Sequence, residues 1–484
     1  MQGIKTYQEK LFVSFQLSER VPPDNFYRRL KETIDFSYLR KLTKPYYGTE
    51  GQKSIDTAVF FKLMLIGYLE NINSDRKIIE QASMRMDMLY FLGYDIDEPL
   101  PWHSTLSRTR KLLGEEVFLE VFRNILNKCA EKGMVSGRTQ SVDSAFIRAN
   151  ASMDSLVERE LHEKSRQFFN AVTAGEDENP SSKLKYSEQY VSTTDPDARV
   201  SQKRGKLPAL NHLGIISVDT AHHVICGAMA EFADIKDSKT TEDIVGQTLE
   251  NLHQTGLEVE EVLADTNYSS GESYAFLEDN SITAYIPPHG AYNPEREGFV
   301  YNEQEDCYTC SQGVKLCFKG IKKEKSRTTL TKRYRSTVAD CKNCPLRETC
   351  CKKMKYKQIE HTADKAHYDR AYQLINPRRG KRMRRLRQST VEPVWGTLLY
   401  FRGLKKVYTK GNDLANKQVL LASTAYNLKK YMAFKGIKSA ASVVKYVAAD
   451  LKSKTFEHFL MLYKLLGFAL RNYTLRKQMM TVYR

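Results

Sequence analysis

Three carboxylates stand where regular elements begin or end. Asp143 lies inside Ser141-Val142-Asp143-Ser144-Ala145, and Asp265 closes the apolar run Val262-Leu263-Ala264 as the chain enters Thr266-Asn267-Tyr268. Glu392 begins a segment whose apolar positions Val391, Val394, Trp395, Leu398 and Leu399 recur at helical spacing. Three carboxylates brought to one point suit Mg²⁺ or Mn²⁺, hard ions that take oxygen ligands and leave room for water and phosphate oxygens. Two such ions about 4 Å apart activate an attacking oxygen and stabilise the departing one in an in-line phosphoryl displacement. Each residue also has a plainer role: Asp143 as a solvent residue of an edge strand, Asp265 as the start of a turn, Glu392 as the acid of a capping box, Ser389-Thr390-Val391-Glu392. On composition alone Asp219 and Asp234 have equal claims.

The cysteines suggest a second kind of chemistry. Cys307 and Cys310, then Cys341 and Cys344, form two C-x₂-C pairs, followed by Cys350 and Cys351. Such pairs in a reducing compartment bind metal more often than they form disulfides. The first reading is a structural Zn²⁺ held by thiolates of Cys307, Cys310, Cys341 and Cys344, with Cys350 able to replace one of them. An iron–sulfur cluster reached through Cys344 and Cys350 and a set of unligated thiols are the alternatives. Cys129 and Cys226, each inside an apolar run, read as buried thiols.

Charge is concentrated around those cysteines. Lys315 to Arg387 holds 24 Lys and Arg against 6 Asp and Glu, a local +18, which leaves the rest of the chain at −1. A patch this basic needs a polyanion, and nucleic acid phosphate is the common one. Bound metal would organise a small segment that has no core of its own and project Lys322, Lys323, Arg333 and their basic neighbours toward DNA backbone. The longest apolar stretch, Ala58 to Leu69, contains Lys62 and is shorter than the about 20 residues a membrane span needs. The N-terminus is polar, so a soluble intracellular chain is expected.

The elements that must position these groups follow from periodicity. The N-terminal third reads as helical: one helix capped at Ser54 or Asp56 running to Asn71, a second from Ser74 to Gly93, then Ser104–Leu113 and Glu115–Glu131. Short basic helices among apolar ones suggest a helix-turn-helix-like DNA module. From Thr139 the period changes. Strands are expected at Ser141–Arg148, Leu213–Val218, Val224–Ala230, Val259–Ala264 and Ile282–Ile286, with helices at Thr240–Gly256 and Gly271–Asp279, giving an α/β mixed sheet flanked by helices. If the first and fourth strands pair, Asp143 and Asp265 converge. Residues 151–207 read as a charged insertion, helix then loop. Helices Thr390–Tyr431 and Lys452–Met479 close the chain, the last with an apolar stripe from Phe456 to Leu470. The expected divisions are 1–135, 136–288, a basic Cys-rich insertion 289–388, 389–435 and a basic tail 436–484.

Val142-Asp143-Ser144, Ala264-Asp265-Thr266-Asn267-Tyr268, Ser389 to Gly396, Phe401-Arg402-Gly403-Leu404 and Ala425-Tyr426-Asn427-Leu428 resemble the matching segments of bacterial insertion-sequence transposases of the DDE type. Pro101 to Arg108 resembles that family's N-terminal domain. The resemblance implies an RNase H-like catalytic core with Asp143, Asp265 and Glu392 as Mg²⁺ or Mn²⁺ ligands. It also implies cleavage at transposon ends followed by joining of the 3′-hydroxyl to target DNA. Related chains often place Tyr and Arg seven and four residues before the Glu and Lys seven after it; here those positions are Arg385, Gln388 and Leu399. Arg384, Arg385, Arg387, Arg402 and Lys405 are the expected phosphate contacts in their stead. The expected partners are terminal inverted repeats, target DNA and a second copy of the chain, in a bacterial cytoplasmic, nucleoid-associated setting. A catalytically inactive DNA-binding derivative and a plain metal-dependent nuclease on the same fold are the alternatives.

Overall fold

Thr139–Arg148 forms the long strand β1, around which the main sheet is built. The computed structural model describes residues 5, 14–48, 50–51, 53–159, 189–202, 205, 207–290, 292–323 and 330–434. The chain divides into Met1–Met432 and Ala433–Arg484, and of the second unit only residues 433 and 434 are described. The expected helix Lys452–Met479 and residues 160–188 of the charged insertion lie outside the described residues. Among the described residues no helix is long and apolar enough to cross a membrane.

After β1 come β2 (Leu156–Glu158), β3 (Tyr190–Ser192), β4 (Arg199–Ser201), β5 (Ala209–Asp219), β6 (Ile225–Phe232), β7 (Glu261–Leu263) and β8 (Thr283–Tyr285). The first sheet runs β6-β5-β1-β7-β8, with β4 beside the start of β5, while β2 and β3 form a separate hairpin. β1 pairs antiparallel with β5 and β5 with β6, whereas β1–β7 and β7–β8 are parallel. This is the mixed sheet that the periodicity predicts, and it pairs the first and fourth of the expected strands. Two glycines bring helices close to the sheet. A Cβ on Gly214 would come within 2.9 Å of the Trp395 ring, and one on Gly227 within 2.4 Å of Thr248 Oγ1. Gly227 pairs with Ser217, three positions from Gly214, so helices Arg378–Phe401 and Thr241–His253 cover opposite faces.

The terminal strand β6 is met by side-chain amides where another strand would otherwise pair. Asn427 accepts from Ile225 N at 2.9 Å and donates to Ile225 O at 2.7 Å. Gln247 accepts from Ala228 N, Asn416 from Ala230 N, and Asn251 donates to Cys226 O. An exposed edge is thereby closed to pairing with other chains.

The N-terminal helices refine the expectation in two places. Thr57–Leu69, capped by Asp56, is buried at every position except Lys62, so it forms the centre of the helical layer rather than presenting one face. The helix expected from Ser74 to Gly93 is two, Asp75–Met84 and Met86–Leu92. Arg85 between them is extended, and its guanidinium pairs with both Glu70 and Asp87. In helix His103–Leu112, Arg110 turns inward onto Asp75 at 2.6 Å, which leaves Arg108 and Lys111 on the outside.

A second antiparallel sheet follows: β9 (Phe299–Asn302), β10 (Cys307–Cys310), β11 (Lys315–Lys323), β12 (Leu330–Arg335) and β13 (Gln358–Thr362), in sequential order. It has a core of its own, contrary to expectation, made by Tyr308, Leu316, Tyr334 and Ile359. His361 joins the hydroxyls of Tyr308 and Tyr334, and Tyr334 donates to Asp306. The module also ends earlier than residue 388. Helix Lys365–Ile375 packs on Gly271–Asp279, and Met383 packs with Leu263 and Tyr285 of the main sheet.

Candidate active site

In the parallel ladder between β1 and β7, Ser141 stands opposite Leu263. Two residues further on each chain are Asp143, held inside β1 by its pairing with Ile216 of β5, and Asp265, which caps the short turn just past β7. Both line one cavity of about 980 Å³, together with Ser144, Asp237, Asn267, Glu272 and Asp364. Asp265 also accepts a hydrogen bond from Asn267 N at 2.8 Å, the turn-starting role its residue type suggests.

Burial pushes the Asp143 carboxyl up to about 6; the Arg387 guanidinium opposes this, and the charge of Asp265 adds to it. Arg387 Nη1 lies 3.3 Å from Asp143 Oδ1. Two carboxylates that repel each other in a partly dry cavity have the donor chemistry a divalent cation requires. Asp237, absent from the sequence-derived set, also lines the cavity and accepts from Ser144 Oγ at 2.7 Å. It lies in an irregular segment without a periodic signal. Asp219 is fully buried and accepts from Gly137 N, Ser136 N and Ala221 N, a structural role. Asp234 faces Arg199 at 3.8 Å.

Glu392 is placed differently. Its helix starts at Arg378, so Ser389 to Glu392 lie in mid-helix and no capping box forms there; Ser389 Oγ donates to Leu386 O instead. Glu392 is exposed while Val391, Val394, Trp395 and Leu398 are buried, and it does not line the cavity. The structure thus brings Asp143 and Asp265 together and leaves Glu392 outside. Among the described residues no group of three or more His, Cys, Asp or Glu side chains is arranged to hold a metal ion.

The cysteines do not gather as the two-pair reading requires. Cys307 pairs across strands with Cys317, and Cys310 packs against the module core. Cys341, Cys350 and Cys351 are neighbours, and burial with hydrogen bonding from Cys341 pushes the Cys351 thiol up to about 11. Cys344 is half-buried in the turn that follows Cys341. Cys351 is the ligand candidate that spacing alone passed over, because the second residue of a Cys-Cys pair fits no C-x₂-C pattern.

The expected phosphate contacts separate by burial. Arg384, Arg385, Lys405, Lys322 and Lys323 are exposed, and Arg333 is half-buried. Arg402 is corrected: it is 7% exposed, and Nη1 donates to the Leu69 and Phe401 carbonyls, which commits it to holding the N-terminal helices. Arg387 turns inward onto Asp143, at 3.3 Å, rather than outward.

Residues 15–112 match the family described as Transposase domain (DUF772), and residues 309–432 match the Transposase DDE domain. No curated protein matches the chain. Similar solved structures include the Mos1 transposase paired-end complex with left transposon end, 12% identical over 55% of this chain and 73% of that one, with a TM-score of 0.16. Another is the Mos1 Strand Transfer Complex, 12% identical over 58% and 74%, with a TM-score of 0.17.

Proposed function

For a chain whose residues 15–112 and 309–432 match transposase domain families, we propose a DNA transposase that cleaves at transposon ends and transfers the freed 3′-hydroxyl into target DNA, with Asp143, Asp265 and Glu392 as its catalytic carboxylates. The observation that carries this reading is that Asp143, within β1, and Asp265, just past the end of its parallel neighbour β7, line one cavity. Mg²⁺ or Mn²⁺ bound there supplies Lewis-acid polarisation of the phosphodiester oxygens. The chain's own part is positional. β1 and the turn after β7 hold the two carboxylates, and helix Arg378–Phe401 packs against both strands. Glu392, exposed on that helix, would be the third carboxylate to hold the cation. Exposed Arg384, Arg385, Lys405, Lys322 and Lys323 follow the DNA backbone, with Arg333 beside them. Two ends must be joined, so the working complex contains at least two copies of the chain.

A strand-transfer assay with the element's own terminal repeats tests the site. Asp143→Asn, Asp265→Asn and Glu392→Gln should each lower product formation roughly 1,000-fold, because removing a cation ligand forfeits several kcal/mol of charge stabilisation. Glu392→Gln should melt like the wild type, since the side chain is exposed. Full activity in any of the three removes that residue from the site. Cleaved ends that are never joined would favour the nuclease alternative, and end binding without cleavage by the wild type would favour the inactive one.

A structural zinc at the cysteine module belongs to the same proposal. The close approach of Cys341, Cys350 and Cys351 supports it, with Cys344 in the turn after Cys341, whereas Cys307 and Cys310 are carried separately on β10. Protein purified without added metal should carry about one equivalent of zinc, lost in Cys341→Ser. Less than about half an equivalent of zinc or iron would count against the site.

A further inference from the structure

Arg387 has no task in that scheme, yet it sits on one of the proposed ligands. Helix Arg378–Phe401 turns a stripe of Met383, Thr390, Val391, Val394 and Leu398 toward the sheet, and Arg387 falls within it. Its side chain is 14% exposed and that of Asp143 19%. Nη1 lies 3.3 Å from Asp143 Oδ1, but it is buried and has no hydrogen-bond partner. A buried guanidinium is secure only when its charge is matched and its donors are bonded. Here the charge is matched and the donor is not, so a cation competing for Asp143 meets an ion pair lacking the forked geometry that would lock it.

We propose that Arg387 is a positioning residue that occupies the cation's place at Asp143 before loading, so that a divalent ion and Arg387 compete for one carboxylate. The displaced guanidinium then becomes available to a DNA phosphate. This rests on the reading of Asp143 as a metal ligand. It follows that free protein takes up the cation weakly and DNA strengthens uptake, because a phosphate offers Arg387 another partner. By linkage the cation strengthens end binding by the same factor.

Mn²⁺ binding to the full chain without DNA, followed by the electron spin resonance of free Mn²⁺, tests the idea. Arg387→Gln should bind Mn²⁺ about tenfold more tightly than the wild type, since one nearby positive charge has been removed. Arg387→Lys, which keeps the charge, should stay near wild type. Arg387→Met, which preserves the aliphatic stem, gives the same reading if the Gln variant folds poorly. Equal or weaker Mn²⁺ binding in the neutral variants, with binding still abolished by Asp143→Asn, would overturn the competition and leave the ligand assignment standing. Wild-type Mn²⁺ binding by Asp143→Asn would instead remove the assignment on which the inference rests.

Discussion

Asp143, within β1, and Asp265, just past the end of β7, each stand two residues beyond the in-register pair Ser141 and Leu263. The parallel ladder brings the two chains side by side, and the short turn that Asp265 caps finishes the approach. The ladder also forces two negative charges toward each other at a partly buried position, and that cost can be measured.

The Asp143 carboxyl is pushed up to about 6, against about 4 for an unfolded chain, with burial as the main cause. Its folded value lies above the unfolded one, so the ionised form destabilises the metal-free protein. Stability falls as pH rises from about 4 through about 6, and the full loss is present above that. At about 1.36 kcal/mol per unit the effect reaches roughly 2–3 kcal/mol. Without metal, Asp143→Asn should exceed the wild type in urea denaturation at pH 8 by about that amount and match it near pH 4. A difference independent of pH would contradict the shift.

Arg110 is 3% exposed on its side chain and meets Asp75 at 2.6 Å, tying helix His103–Leu112 to Asp75–Met84. Asp75→Ala leaves that guanidinium buried and unmatched, and should cost about 3–5 kcal/mol. Arg110→Met, which removes the charge and keeps much of the volume, should cost less. Thermal melts of the two variants give the order; a wild-type midpoint for Asp75→Ala would show that the pair contributes nothing to the helical layer.

Arg384 and Arg385 are exposed on the helix that carries Glu392, whereas Arg402 is buried against the Leu69 carbonyl. Charge reversal at Arg384 or Arg385 should weaken end binding and lower the slope of log affinity against log salt by about 0.9 per lost phosphate contact. Arg402→Gln should lower the melting temperature and leave that slope alone. Binding measured between about 50 and 200 mM salt separates the two classes; an unchanged slope for both Arg384 and Arg385 would take them out of the interface.

Local pattern carried much of this protein. Alternation marks β1, β5 and β6 within a few residues, and 3.6-residue spacing marks Glu115–Glu131 and Gly271–Asp279 at the bounds the structure has. Asp143 and Asp265 were legible because one lies inside an alternating strand and the other directly follows a short apolar strand, both signals carried by immediate neighbours. What stayed hidden depends on partners far along the chain. The break at Arg85 arises from Glu70 as well as the adjacent Asp87. The start of Arg378–Phe401 is masked by a basic run that looks like solvated chain until Met383 meets Leu263 and Tyr285.

The residue types and their periodicity determined that strands, helices and a basic cysteine-bearing segment exist and which carboxylates lie in or next to the strands, because those signals act over a few residues. Only the tertiary structure decided that Asp219 is buried among backbone donors, that Asp237 shares the cavity, that Arg402 serves packing and that Arg387 faces Asp143. Burial and charge pairing are set by groups hundreds of positions away, and no short window of sequence contains them.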